Sequence, residues 1–229
     1  MEKDLRAIFD GDGLVRPSLL RSRPYYYLGV DFGQAQDYSA MAIVERVELV
    51  RRDLAGQDPL TRAWPLETRF FVRYVERMAL GTPYPEVVKR VERLAMKTPL
   101  AKGQVKVIVD ATGVGAAVVD LLKQGPTRSG LLPVTITSGR QETTDGSRYC
   151  VPRRDLLGGL VLALQQRRVQ ISRGPGSGSV RELLAEMRSM TIRDKWGDGS
   201  GDAAHDDLVF ALALAWWRAN RETGWGAAA

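Results

Sequence analysis

The chain has 229 residues, 44% of them apolar and 26% charged, with a net charge of +6 at pH 7; that suffices for one well-buried core and is ordinary for a soluble globular protein. The only cysteine, Cys150, excludes an intrachain disulfide, and the only histidine, His205, excludes a Cys/His zinc site and any Ser-His-Asp triad away from position 205. No apolar run is long enough to span a membrane and the charged N-terminus lacks a signal-peptide pattern, so a cytoplasmic protein is expected.

Residues 1–24 are polar and punctuated by Gly11, Gly13, Pro17 and Pro24, which predicts a linker or N-terminal arm. Tyr25–Phe32 reads as a first strand. The β-rich run Tyr38–Val50 follows after a short turn and implies an antiparallel hairpin. A polar loop with Gly56, Pro59 and Pro65 leads to a third strand, Arg69–Arg77. The period then changes: Val87, Val88, Val91, Leu94 and Ala95 predict a helix over Pro85–Met96. Val105–Val109 is wholly apolar apart from Lys106 and suits a central strand buried on both faces.

A helix over Val114–Lys123 starts in a Gly-rich turn, and Leu131–Thr137 is strand five. Ser138–Tyr149 is polar and reads as a loop or hairpin. Pro152–Arg167 is an amphipathic helix with Pro152 in its first turn. A short strand over Val169–Ser172, a break at Gly174–Gly178, a helix over Val180–Met190 and a Gly- and Asp-rich loop over Thr191–Gly201 come next. The last long helix is Ala203–Arg221, and residues 222–229 read as a flexible tail. Three meandering strands followed by βα units predict an α/β fold, a mixed central sheet with helices on both faces, in one domain over 25–221.

Three acidic clusters stand where elements end or begin: Val30-Asp31-Phe32-Gly33, Val109-Asp110-Ala111-Thr112-Gly113 and His205-Asp206-Asp207-Leu208. Asp31 also suits plain turn initiation, and Asp37 in the same turn suits a brace. Asp110 ends an apolar strand before a helix, a common ligand position in α/β sheets, although an Asp-Thr cap explains it too. At the helix start one Asp serves as N-cap, and two exceed what capping needs. Adjacent helical residues point about 100° apart, so the pattern does not separate Asp206 from Asp207. Carboxylates without Cys ligands suit Mg²⁺ or Mn²⁺, and a pair of such ions is a standard means of cutting phosphodiesters. A metal-dependent nuclease is therefore the expectation. His205 could orient a phosphate or simply neighbour the cap.

The positive balance, carried mostly by Arg, favours an anionic partner such as nucleic acid, although a general Arg preference in the source accounts for it equally well. Arg140, Arg148, Arg153, Arg154 and Lys195 flank the two polar loops and are candidate DNA phosphate contacts, with solvated surface charge as the plainer reading.

Six segments together carry a family resemblance. They are Leu28–Gly33 with Asp37–Ala40, Gly81-Thr82-Pro83-Tyr84, Val109–Gly115, Val151-Pro152-Arg153-Arg154-Asp155-Leu156, the 180–192 helix leading into Thr191-Ile192, and His205–Ala213. On these the chain resembles, from about Tyr25 to Arg218, the C-terminal nuclease domain of the large terminase subunit of tailed bacteriophages. The resemblance implies an RNase H-like and RuvC-like fold that cuts concatemeric viral DNA with two Mg²⁺ or Mn²⁺ ions. It makes Asp31 and Asp110 the first and second acids, with Asp206 and Asp207 sharing the third position. It also implies double-stranded DNA, an ATPase motor domain, a portal and a small terminase subunit as partners, in the host cell cytoplasm. No G-x-x-x-x-G-K-[ST] loop occurs in the chain, so translocation is not expected of these residues. Three rival readings share some of these features: an actin-like ATPase, a RuvC-type junction resolvase and a catalytically silent DNA-binding or portal-docking module.

Overall fold

The structure is a computed structural model that describes residues 25–33, 37–50, 56–97, 100, 105–113, 115–146, 148–172, 178–190 and 206–222. The expected arm over 1–24, the 191–201 loop with Lys195, His205 and nearly all of the tail over 222–229 lie outside the described residues.

The strands are β1 (Tyr25–Asp31), β2 (Ala40–Val50), β3 (Leu66–Arg77), β4 (Val105–Asp110), β5 (Leu131–Thr137), β6 (Thr143–Asp145), β7 (Arg148–Pro152) and β8 (Val169–Ile171). The helices are α1 (Tyr84–Ala95), α2 (Gly115–Lys123), α3 (Arg153–Gln165), α4 (Val180–Ser189) and α5 (Asp207–Arg221). The strands form one sheet in the order β6-β7-β5-β4-β1-β2-β3-β8. β1–β2–β3 is the antiparallel meander, and β4, β5 and β7 run parallel outward from β1. The mixed α/β sheet read from the sequence is therefore present.

Alternation along the central strands sorts their side chains onto two layers. Tyr26, Leu28, Val30, Met41, Ile43, Val107 and Val109 pack with α1 and α2 on one face. Tyr27, Ala40, Ala42, Val44 and Ile108 pack with α3, α4 and α5 on the other. β1 and β4 are apolar on both faces because both faces are covered.

α5 is not amphipathic over most of its length. Every residue from Asp207 to Trp217 is buried. A helix apolar all round belongs between two layers, and this one lies between the sheet and α3 and α4. Trp216 meets Phe70 of β3 edge-on at 6.3 Å, and Trp217 meets Tyr149 of β7 at 5.5 Å. Fully burying each Leu of this helix contributes about 2 kcal/mol.

Two local readings are refined. The polar 138–149 segment holds a hairpin, β6–β7, that extends one edge of the sheet. Pro152 ends β7 and occupies the N-cap of α3, so the helix begins at Arg153. The fixed φ of proline suits either place, and only the pairing with Thr137 of β5 assigns it to the strand.

Candidate functional site

The site begins with strand register. In the parallel pair β1–β4, Val30 stands opposite Val109, so Asp31 and Asp110 end neighbouring strands at the same edge. Asp31 also pairs with Ala40 of β2, and Ala40 pairs with Arg77 of β3. Asp110, Asp31, Ala40 and Arg77 thus form one row across four strands. Alternation from Tyr27 through Gly29 turns Asp31 toward the α5 face.

Gly29 sets the height of α5 above that row. A Cβ there would lie 1.9 Å from the Ala211 carbonyl oxygen and 2.8 Å from the Ala215 amide nitrogen. The helix backbone therefore rests directly on β1. From Ala211 back to Asp207 is one helical turn, about 6 Å of rise. From Gly29 on to Asp31 is two strand residues, about 6.6 Å. Along β1, Tyr27 bonds Glu222 and Gly29 meets Ala211, so the two elements run in opposite directions, these steps match and Asp207 comes over Asp31.

The electrostatics follow from this crowding. Burial, then the neighbouring charges of Asp110, Asp207, Asp206 and Asp37, hold the Asp31 carboxyl well above the usual carboxylate range. Asp110 is also raised by burial, against hydrogen bonds at Thr112. The Thr112 amide donates to Asp110 Oδ1 at 2.8 Å, and the Ile136 amide donates to Thr112 Oγ1 at 2.9 Å. Gly113 follows with φ +58°, the left-handed conformation that this turn into α2 requires.

Asp207 is only 7% exposed, whereas Asp206 is half-buried and receives the Arg153 Nη2 at 2.5 Å. Arg153 in turn lies over the Phe210 ring, 4.4 Å from its centre. The four acids are thus gathered at one edge, with Asp206 drawn toward α3. Among the described residues no group of three or more His, Cys, Asp or Glu side chains is arranged to hold a metal ion as it stands. In kind the donor set fits a hard divalent cation: carboxylates alone, crowded enough to hold Asp31 toward its neutral form.

The expected cap at the start of α5 is corrected. Asp206 is the N-cap residue but makes no side-chain capping hydrogen bond. Glu186 of α4 does that work, its Oε2 accepting from the Val209 amide at 3.0 Å. Its other oxygen receives the Arg77 guanidinium. Burial pushes Glu186 up to about 7, with Asp207 adding to the rise and Val209 and Arg77 opposing it. Sequence reasoning passed over Glu186. The available signal was its place on the Val180, Leu183 stripe, where a charge needs a buried partner.

Of the basic candidates, Arg140 and Arg148 are exposed. The Arg140 carbonyl accepts from the Arg154 guanidinium, and Arg154 also reaches Asp155 at 3.2 Å. Among the described candidates Arg153 is the one joined to the acidic edge.

Two solved structures are similar to this chain. An Mn-soaked human cytomegalovirus terminase nuclease domain is 13% identical, over 96% of this chain and 96% of that one, with a TM-score of 0.53. The large terminase nuclease from thermophilic phage G20c is 22% identical, over 87% of this chain and 85% of that one, with a TM-score of 0.46. No family model and no curated protein sequence matches the chain. The chain has the RNase H-like fold of a terminase nuclease domain.

Proposed function

We propose that this chain is a divalent-metal-dependent endonuclease of the terminase kind, cutting double-stranded viral DNA concatemers during genome packaging. The observation that carries this reading is the meeting of Asp31 and Asp110 at adjacent strand ends under the start of α5, which brings Asp207 and Asp206. The Mn-soaked cytomegalovirus domain supports the choice of metal.

In this reading Asp31, Asp110, Asp206 and Asp207 hold Mg²⁺ or Mn²⁺, two ions in all. When bound, such ions supply Lewis acidity and charge neutralisation toward a phosphodiester. The protein groups do the rest. Asp31 is central, being the carboxylate that the other three crowd. Asp110 is oriented by the Thr112 amide. Asp206 must exchange its Arg153 partner to join the set, which leaves that guanidinium beside the site to take a DNA phosphate. Arg140, Arg148, Arg154 and Lys195 extend the phosphate contact, and backbone charge rather than base sequence dominates binding. An ATPase motor, a portal and a small terminase subunit are the partners this role requires.

The test is incubation with supercoiled plasmid, with and without Mn²⁺, for wild type and Asp31→Ala. Wild type should cut only with metal, and the variant should not cut. Full cutting in EDTA, or equal cutting by the variant, would overturn the reading.

A further inference from the structure

We propose that Glu186 is a positioning residue that, by capping α5 from α4, fixes the start of α5, and with it the Asp207 carboxylate, against Asp31; the proposal rests on the nuclease reading above.

A helix start leaves its first amides without intrahelical partners, and the N-cap side chain ordinarily takes one at the third helical position. Here that amide belongs to Val209, and its acceptor comes from a different helix. The Asp206 carboxylate, which would take the bond in an ordinary cap, is directed to Arg153 at the site edge instead. Capping from α4 therefore leaves both acids of α5 to the site. A carboxylate also suits the positive end of the helix.

Glu186 is 5% exposed, so its charge needs a partner, and Arg77 provides it. Arg77 stands in the same row as Ala40 and Asp31. Its guanidinium lies 4.9 Å from the centre of the Tyr38 ring, in the segment that follows β1. One carboxylate thus joins α4, the start of α5, the end of β3 and the β1–β2 connection. These are the elements that set the separation of Asp207 from Asp31. Neither Glu186 nor Arg77 needs to touch the substrate.

Three variants separate position from charge. Glu186→Gln keeps an acceptor of the right reach for the Val209 amide and gives up only the ion pair with Arg77. Glu186→Asp keeps the charge but is one methylene short. Glu186→Ala keeps neither. Plasmid cleavage with Mn²⁺ should lose kcat by about 10²-fold in the Ala and Asp variants, the cost of a misplacement near 1 Å, with KM for DNA little changed. The Gln variant should stay within about threefold of wild type on the same scale. Val119→Ala, in the core on the opposite face of the sheet, serves as a control that lowers the melting temperature without a matching fall in kcat.

Amide hydrogen exchange at Val209, read on the metal-free protein, tests the cap independently of cleavage. It should quicken in the Ala and Asp variants and not in Gln. Rescue by Asp rather than Gln would overturn the proposal, as would wild-type kcat in Glu186→Ala or an equal kcat loss in the control. If the wild type itself does not cut with metal, the nuclease reading fails, while unchanged exchange at Val209 in Glu186→Ala sinks the cap. If only Glu186→Ala fails to fold, the contrast between Gln and Asp still decides.

Discussion

Replacing Gly29 by alanine should damage the site from beneath. The added Cβ would stand 1.9 Å from the Ala211 carbonyl oxygen and 3.0 Å from its carbon, both backbone atoms that no rotamer change can move. Ordinary contact requires α5 to retreat by more than about 1 Å. Overpacking of this kind costs about 1–3 kcal/mol, and a rigid backbone contact belongs at the upper end. For a domain of this size each kcal/mol lowers Tm by about 2–4 °C, so a fall of roughly 6–12 °C is expected. The same retreat lifts Asp207 from Asp31, and a displacement near 1 Å costs about 10²-fold in rate. Thermal melting and plasmid cleavage with Mn²⁺, assayed well below the variant's Tm, measure the two effects. A Gly29→Ala protein that melts and cuts like wild type would refute the account of how α5 is seated.

Asp31→Asn should abolish cleavage and raise the Tm of the metal-free protein, because it removes the charge that burial and its acidic neighbours disfavour; a lower Tm with cutting intact would contradict this. Glu186 holds its proton up to about 7 in the native state, whereas the unfolded chain releases it in the ordinary carboxylate range. The native state is then the better proton binder, so stability should fall as pH rises between about 4.5 and 7. Melting curves of metal-free wild type and Glu186→Gln across that window check the sign, and the fall should be smaller in the variant. Arg153→Ala should shift stability by less than about 1 kcal/mol, because its ion pair with Asp206 is partly exposed. It should weaken DNA binding and reduce the salt slope by about one unit, and an unchanged slope in a salt titration would remove Arg153 from the DNA contact.

The sheet was legible because its central strands announce themselves. Tyr25–Val30 and Val105–Val109 are short apolar runs ending in Asp, and both are covered on two faces. Asp31 and Asp110 could be placed at strand ends without coordinates. Their being neighbours needed the β1–β4 register, which no local pattern carries. α5 was legible as a helix but not as a helix buried all round, since the elements that cover its outer side, α3 and α4, are set by the tertiary fold. The 138–149 segment read as a loop or a hairpin, and its polar sequence without a period did not decide between the two. Glu186 looked like one more charge on an amphipathic helix. Its partners, Arg77 and the Val209 amide, lie far away in sequence.

The dependence of the site on α5 also bears on the order of synthesis. α5 follows every strand of the sheet, so a chain leaving the ribosome exposes Asp31 and Asp110 before it can offer Asp206 or Asp207. During that interval Tyr27, Ala42, Val44 and Ile108 have no α5 to cover them. The acidic edge is completed only when the same helix closes that face. In the nuclease reading proposed above, a nascent chain would therefore be unable to cut nearby DNA until α5 has packed.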